Sequence, residues 1–270
     1  MSPSWRERVR IALLPHQAAM VRLAHGLNPR VVDRKSIPCQ PAGGRAGWAP
    51  AVEALRELLA HPNVDKGDAT VILSSHFTRY LVAPWSAELV TESEELEFAR
   101  ARCVQVHGQV ARDWSVVMNP APPGAGRLCA AVDQALIAAV TGAVAASALR
   151  LQSVQPALMA LFNEWRRRIG DEGWLIVAEQ GRLLVAWISG GEWRSVRTRP
   201  LNGASIPLAP LLQQEQLLLS AGSGQKVFLA TLGEVGLDTD GLSVERLAAR
   251  PARAAPVRPE AGYDLAMCGA

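Results

Sequence analysis

The 270-residue sequence is poor in lysine, cysteine and long apolar runs. Only Lys35, Lys66 and Lys226 are lysines, and Lys+Arg 28 nearly cancels Asp+Glu 25, leaving a net charge of +3. Basic and acidic residues are interleaved along the chain, so this excess makes no case for nucleic acid. The four cysteines, Cys39, Cys103, Cys129 and Cys268, are far apart and form no C-x-x-C pair. Zinc needs local ligand pairs and a disulfide framework needs a higher density, so neither is expected. The charged start, residues 1–8, has no apolar core behind it, which reads as no export signal and a cytoplasmic protein. Residues 136–149, LIAAVTGAVAASAL, are 14 uncharged residues. As a helix they would span about 21 Å, short of the roughly 20 residues that a bilayer requires. They are expected to form a helix buried between layers. No G-x-x-x-x-G-K-[ST] and no G-x-S-x-G occur, which argues against a P-loop and a hydrolase elbow.

What is present is a core-forming composition, 49% apolar and 20% charged, in a chain long enough for two ordinary domains. Residues 8–14, 18–23 and 30–37 alternate as strands around the turns Pro15-His16-Gln17 and Gly26-Leu27-Asn28-Pro29. Helical spacing follows over 50–60, then the short apolar run 69–73, suited to a strand covered on both faces. Residues 92–114 open with Glu92, Glu94, Glu95 and Glu97 and carry Leu96, Ala99, Cys103, Val106 and Val110 at helical intervals; 114–118 reads as a strand. After a Pro/Gly-rich loop, NPAPPGAG over 119–126, come strand 127–132, helix 133–148, strand 149–154 and helix 156–168. A second meander then runs 174–178, 182–188 and 193–200 around Gln180-Gly181 and Gly190-Gly191, followed by helix 208–219 and strand 226–231.

The two meanders share one grammar: three strands, a helix, then a buried strand. This is the plan of the ribonuclease-H-like duplication, which the pattern resembles and which is found in actin and the sugar kinases. The expected fold class is therefore α/β with two such lobes, mixed sheets flanked by helices. The lobes are placed at 1–122 and 123–245, with the 119–126 loop as junction, and 246–270 is expected to be a poorly ordered tail. In that superfamily the first turn of each meander grips nucleotide phosphates through glycine amides and a magnesium-organising aspartate. Here the first turn has neither Asp nor Gly, and Pro15 removes an N–H donor. The second keeps one acid, Glu179, and one glycine. No cofactor is therefore expected, with an ATP-binding or ATP-hydrolysing protein of the same fold as the alternative; Gln180, Gly181, Gly190 and Gly191 are the candidates to touch the nucleotide.

The segment Leu73-Ser74-Ser75-His76-Phe77-Thr78-Arg79-Tyr80-Leu81-Val82-Ala83-Pro84-Trp85 resembles the L-S-x-x-x-x-R-Y-x-x-x-P-W stretch of the type II secretion protein GspL and the type IV pilus protein PilM. Ser153-Val154-Gln155-Pro156 with Ala160, Phe162, Asn163 and Trp165 is similar to degenerate relatives of the same group. In element order the likeness covers most of residues 8–232. It implies an actin-like, non-catalytic scaffold at the inner face of the inner membrane. That scaffold would bind the cytoplasmic tail of a membrane-anchored pilus or secretion protein, and also a secretion ATPase, with a homodimer as a further expectation. The missing phosphate-turn aspartate departs from an ATP-binding pattern.

Arg79, Tyr80, Pro84 and Trp85 combine the residue types that anchor interfaces, and are the expected partner-binding group. Ser75 and His76, adjacent on an extended strand, point to opposite faces and make a poor nucleophile–base pair. Arg166-Arg167-Arg168 beside Trp165 complements a helix C-terminus, with acidic lipid or an acidic partner as the other use.

Overall fold

In the computed structural model the described residues are 7–24, 30–44, 47–61, 66–201, 206–219, 226–247 and 260–268. The first meander, β1 (Glu7–Leu14), β2 (Gln17–Leu23) and β3 (Val31–Pro38), is antiparallel; α1 (Ala49–Leu59) returns the chain to β4 (Gly67–Leu73), parallel to β1. An inserted unit follows: β5 (Thr78–Ala83), α2 (Glu92–His107), a 3-10 turn (Gln109–Asp113), β6 (Trp114–Met118) and β7 (Arg127–Asp133). Its three strands form a separate sheet in the order β5-β7-β6. After α3 (Gln134–Ala145), β8 (Arg150–Pro156) adds parallel to β4 and completes a sheet of order β3-β2-β1-β4-β8.

Helix α4 (Ala157–Ile169) crosses to the second lobe. There β9 (Gly173–Glu179), β10 (Arg182–Ser189) and β11 (Glu192–Pro200) form the second meander. β12 (Ile206–Pro207) and α5 (Leu208–Leu219) lead to β13 (Val227–Leu232), then β14 (Leu237–Asp238) and β15 (Val244–Arg246). This sheet has the order β11-β10-β9-β13-β15, with β13 and β15 parallel to β9 in turn. Strand order and direction therefore repeat between the lobes, as the shared grammar of the meanders predicts. The last described element is α6 (Ala261–Met267).

Alternation along the central strands explains the layering. On β1, Val9, Ile11 and Leu13 face α1 and α3, while Ala12 and Leu14 face the inter-lobe core. On β9, Trp174, Ile176 and Ala178 pack under α5, while Leu175 and Val177 face the same inter-lobe core. Both faces are covered, so these strands read as near-continuous apolar runs. The Trp174–Trp187 stack, 5.8 Å between rings, and Phe162–Trp193, 4.6 Å, fill this packing. Glu215, buried on α5, binds Arg199 (Nε at 3.0 Å) and Arg197 (3.3 Å), which fastens that helix to β11.

The structure corrects four expectations. The 119–126 loop joins β6 to β7, neighbours in one sheet, and the chain changes lobe at Pro156–Ala157 instead; a Pro/Gly-rich run ends a strand equally well at a hairpin or at a boundary. α2 stops at His107 because Gly108 adopts φ +79°, and Val106 and Val110 are exposed. α3 covers the outer face of the first sheet with one side open to solvent and does not lie between layers. Among the described residues no helix is long and apolar enough to cross a membrane. Residues 260–268 of the expected tail form buried helix α6, whereas 248–259 and the Gly26-Leu27-Asn28-Pro29 turn lie outside the described residues.

α6 belongs to both lobes. Leu265, Ala266 and Cys268 are fully buried in the inter-lobe core. Arg10, on β1, donates through Nε to Ala266 O (3.2 Å) and through Nη2 to Cys268 O. Gly233, after β13, donates its N–H to Asp264 (3.1 Å). The Gln17 amide donates to Glu260 (3.3 Å) and accepts from Gly262 N–H (2.8 Å). Gly262 has no side chain because β2 leaves no room: a Cβ there would lie 2.6 Å from Ala19 Cβ. In an open helix Gly→Ala gains about 1 kcal/mol. At this site Gly262→Ala is expected instead to lose about 1–3 kcal/mol by overpacking, read as a lower urea midpoint. An equal or higher midpoint would contradict the close docking.

Candidate functional site

The two meander turns meet between the lobes. At the end of β9, Glu179 is 2% exposed. Its carboxylate accepts from the Ser74 hydroxyl and from the Ser75 backbone N–H (2.8 Å), both just past β4 in the other lobe. His76 Nε2 sits 2.9 Å from Gln180 O, and Arg182 Nη1 donates to Ser75 O (2.9 Å). A carboxylate can stay buried only when its oxygens are satisfied, and Glu179 is satisfied across the lobes. Pro15 offers no N–H, and His16 O is taken by Cys39 N–H (2.8 Å). At the junction Glu179 and the Ser74 hydroxyl are thus paired, whereas the neighbouring Ser75 Oγ and Thr78 Oγ1 are buried without a hydrogen-bond partner among the described residues.

Charges at the junction are pushed toward neutrality. Burial, then the Arg182 guanidinium, pulls His76 below the ordinary imidazole value, with Gln180 O and Glu179 pulling back and His16 lowering it further. Burial lowers His16 likewise, against the Glu179 charge. Burial also lowers Arg182, opposed by Glu179, and lowers Arg79, helped by Arg182.

The four cofactor candidates do not form one site. Gln180 and Gly181 turn at the inter-lobe end of β10, but Gly190 and Gly191 turn at its far end, about 25 Å away at the usual strand rise. Their amides are used locally: Gly190 N–H binds Glu172 (2.7 Å) and Gly191 N–H binds Asp171 O (3.0 Å).

The expected partner-binding residues also separate, because they lie on or just after β5 and strand side chains alternate. Tyr80 points into the inter-lobe core, 8% exposed, and burial holds its phenol well above the ordinary range. Pro84 and Trp85 lie exposed beyond the far end of the strand, beside Phe98 and Met118. Arg79 alone faces a large cleft, of about 460 Å³, between the first lobe and the inserted unit. Its Nη1 donates to His76 O (3.0 Å) and Thr78 O (3.2 Å). The opposite walls carry Trp48, His107, Val110 and Trp114. Trp48 Nε1 donates to Asp133 (3.0 Å), whose other oxygen caps α3 at Ala135 N–H (2.9 Å), so this acid is occupied. His107 stands against Trp114, 5.2 Å between rings; burial and then Arg79 lower its pKa, and its Nε2 has no hydrogen-bond partner among the described residues. The cleft is aromatic with a cationic wall. Sequence reasoning passed over Trp48, His107 and Asp133, which come from three separate segments.

No family model and no curated protein matches this sequence. Solved structures do match its shape. A Bacteroides thetaiotaomicron protein described as having an actin-like ATPase fold and unknown function superposes with a TM-score of 0.56 at 12% identity, over 86% of this chain and 84% of that one. The fold is the actin-like ATPase fold. Within it, the chain is similar to the cytoplasmic domain of EpsL, an inner-membrane component of the Vibrio cholerae type II secretion system (TM-score 0.54, 13% identity, 89% and 90% covered). It is also similar to a chain of the PilM-PilN type IV pilus biogenesis complex (0.53, 18%), where the match covers 74% of this chain but only 63% of that one. The actin-like fold and the PilM and GspL likeness expected from the motif are thereby borne out at the level of structure.

Two outcomes test the junction of this actin-like chain. Glu179→Ala leaves the Ser75 N–H and Ser74 hydroxyl unpaired and is expected to cost about 1–3 kcal/mol in urea unfolding. His16 and His76 are held below 6.5, so the unfolded chain binds more protons than the folded one just below that pH. Stability therefore rises with pH through that window and is lost as pH falls. The urea midpoint should drop between about pH 7.5 and pH 5.5, and His76→Gln should drop less.

Proposed function

We propose that this chain is a non-catalytic cytoplasmic scaffold of a bacterial pilus-biogenesis or secretion machine, and that it holds the tail of a membrane-anchored partner in the Arg79 cleft. One observation carries the reading: where a nucleotide-using member of this fold needs free amides and an unpaired acid, Glu179 is consumed by Ser74 and Ser75. A group already saturated by its own chain does not organise magnesium and water. The cleft supplies what a peptide needs instead. Trp48 and Trp114 offer apolar walls, and the Arg79 guanidinium offers polar contacts for a carboxylate or a peptide carbonyl. The likeness to a chain of the PilM-PilN complex and to the EpsL cytoplasmic domain supports an assembly role for chains of this shape.

Co-purification from detergent-solubilised membranes of the native host tests this. Wild-type protein should capture one single-span membrane subunit. Val110→Glu, a change at an exposed cleft residue, should lose that capture by at least about tenfold while keeping its urea midpoint. Titration with Mg·ATP should give no micromolar heat. Micromolar ATP binding, or equal capture by the Val110 variant, overturns the proposal.

A further inference from the structure

The strand-start end of the molecule carries a charge pattern that the cleft does not use. β1, β4 and β8 begin side by side, with Arg8 in register with Asp68 and Asp68 with Arg150. In the second lobe Lys226 precedes β13 beside the start of β9, and Arg246 lies in register with Leu229 on the neighbouring β15. α4 runs back toward the same end and finishes on Arg166-Arg167-Arg168, where Arg168 pairs with Glu245 of β15.

The acids at this end are mostly engaged. Glu7 pairs with Arg22, Asp68 with Arg150 (3.0 Å), Glu245 with Arg168, and Glu192 with Arg194 (3.0 Å). Glu172 accepts from Gly190 N–H, and Glu164 lies within the field of Arg10. Among the described residues Asp171 is the exposed acid that remains at this end. Against it stand Arg8, Lys66, Arg166, Arg167, Lys226 and Arg246, all exposed and making no ion pair among the described residues. Trp165 lies half-buried among them under the Arg168 guanidinium, 5.7 Å from ring centre to cation.

None of these six cations lines the Arg79 cleft. They are spread over the ends of two five-stranded sheets, a breadth of about 20–25 Å at the usual strand spacing. A concave pocket would fit a discrete anion. A broad display of exposed cations without ion pairs fits a fluid layer of anionic headgroups that rearranges to meet each charge. We infer that this end of the molecule docks directly on an anionic lipid surface. The contact is independent of the cleft reading: the cleft is lined by Trp48 and by His76, just past the end of β4, whereas these cations lie toward the strand starts, so both surfaces can be engaged together. A partner tail of about 15 extended residues reaches about 50 Å, enough to pass from bilayer to cleft.

Co-sedimentation of the full chain with vesicles tests the inference. Wild-type protein should bind vesicles with about 30 mol% phosphatidylglycerol, not pure phosphatidylcholine, and should be released by about 0.5 M salt. Each cation near such a surface contributes about fivefold. R166Q/R167Q/K226Q should therefore bind about 100-fold more weakly, with an unchanged urea midpoint. Arg166→Gln alone, expected about fivefold weaker, serves if the triple variant fails to fold. R100Q/R112Q, on the side of α2, should bind like wild type. Absence of binding to anionic vesicles, equal binding by R166Q/R167Q/K226Q, or binding to polyglutamate in place of vesicles overturns the inference. The Val110→Glu variant should retain vesicle binding, which separates failure here from failure of the cleft.

Discussion

A carboxylate nearly sealed from water must find its hydrogen bonds within the protein or give up its charge. Glu179 finds them in the opposite lobe, at the Ser74 hydroxyl and the Ser75 amide. That requirement fixes where β4 ends relative to β9. Once those two strand ends are set, His76 reaches Gln180 O and Arg182 reaches Ser75 O without further adjustment. The lobes are joined at their turns by the chain's own polar groups, and the apolar core between the sheets closes behind them. The same closure lowers the pKa of both nearby histidines by burial, and Arg182 adds to this at His76.

The repeat was legible because both meanders obey the same local rules. Strands of period two around Pro- and Gly-containing turns, then a helix of period 3.6, then a four- or five-residue apolar run, can be read without knowing any contact. The lobe boundary was not legible. Composition marks where a chain must turn, and the 119–126 loop does turn, but only sheet pairing reveals that β7 comes back beside β6. α6 was hidden for a different reason. Its stretch, AGYDLAM, is short, and its burial comes from strands remote in sequence, so neither propensity nor periodicity announces it.

The candidate site was half legible. Arg79 was singled out with Tyr80, Pro84 and Trp85 because the four crowd together in sequence. Without β5 recognised as a strand, alternation could not be applied, and alternation is what sends Arg79 to the cleft and Tyr80 to the core. The cleft's other walls come from a loop, a helix end and a strand end, which only the inserted sheet brings together. By contrast, the missing backbone donor at Pro15 is readable from the sequence alone, because an N–H that does not exist cannot be restored by folding.

Helix α6 has a consequence for how this chain reaches its folded state. Arg10 and Ala266 are 256 positions apart, and Leu265, Ala266 and Cys268 help fill a core built from β1, β2, α4 and the strands of the second lobe. The docking of α6 against β1 therefore closes a very long stretch of chain, and contacts of such sequence separation form slowly.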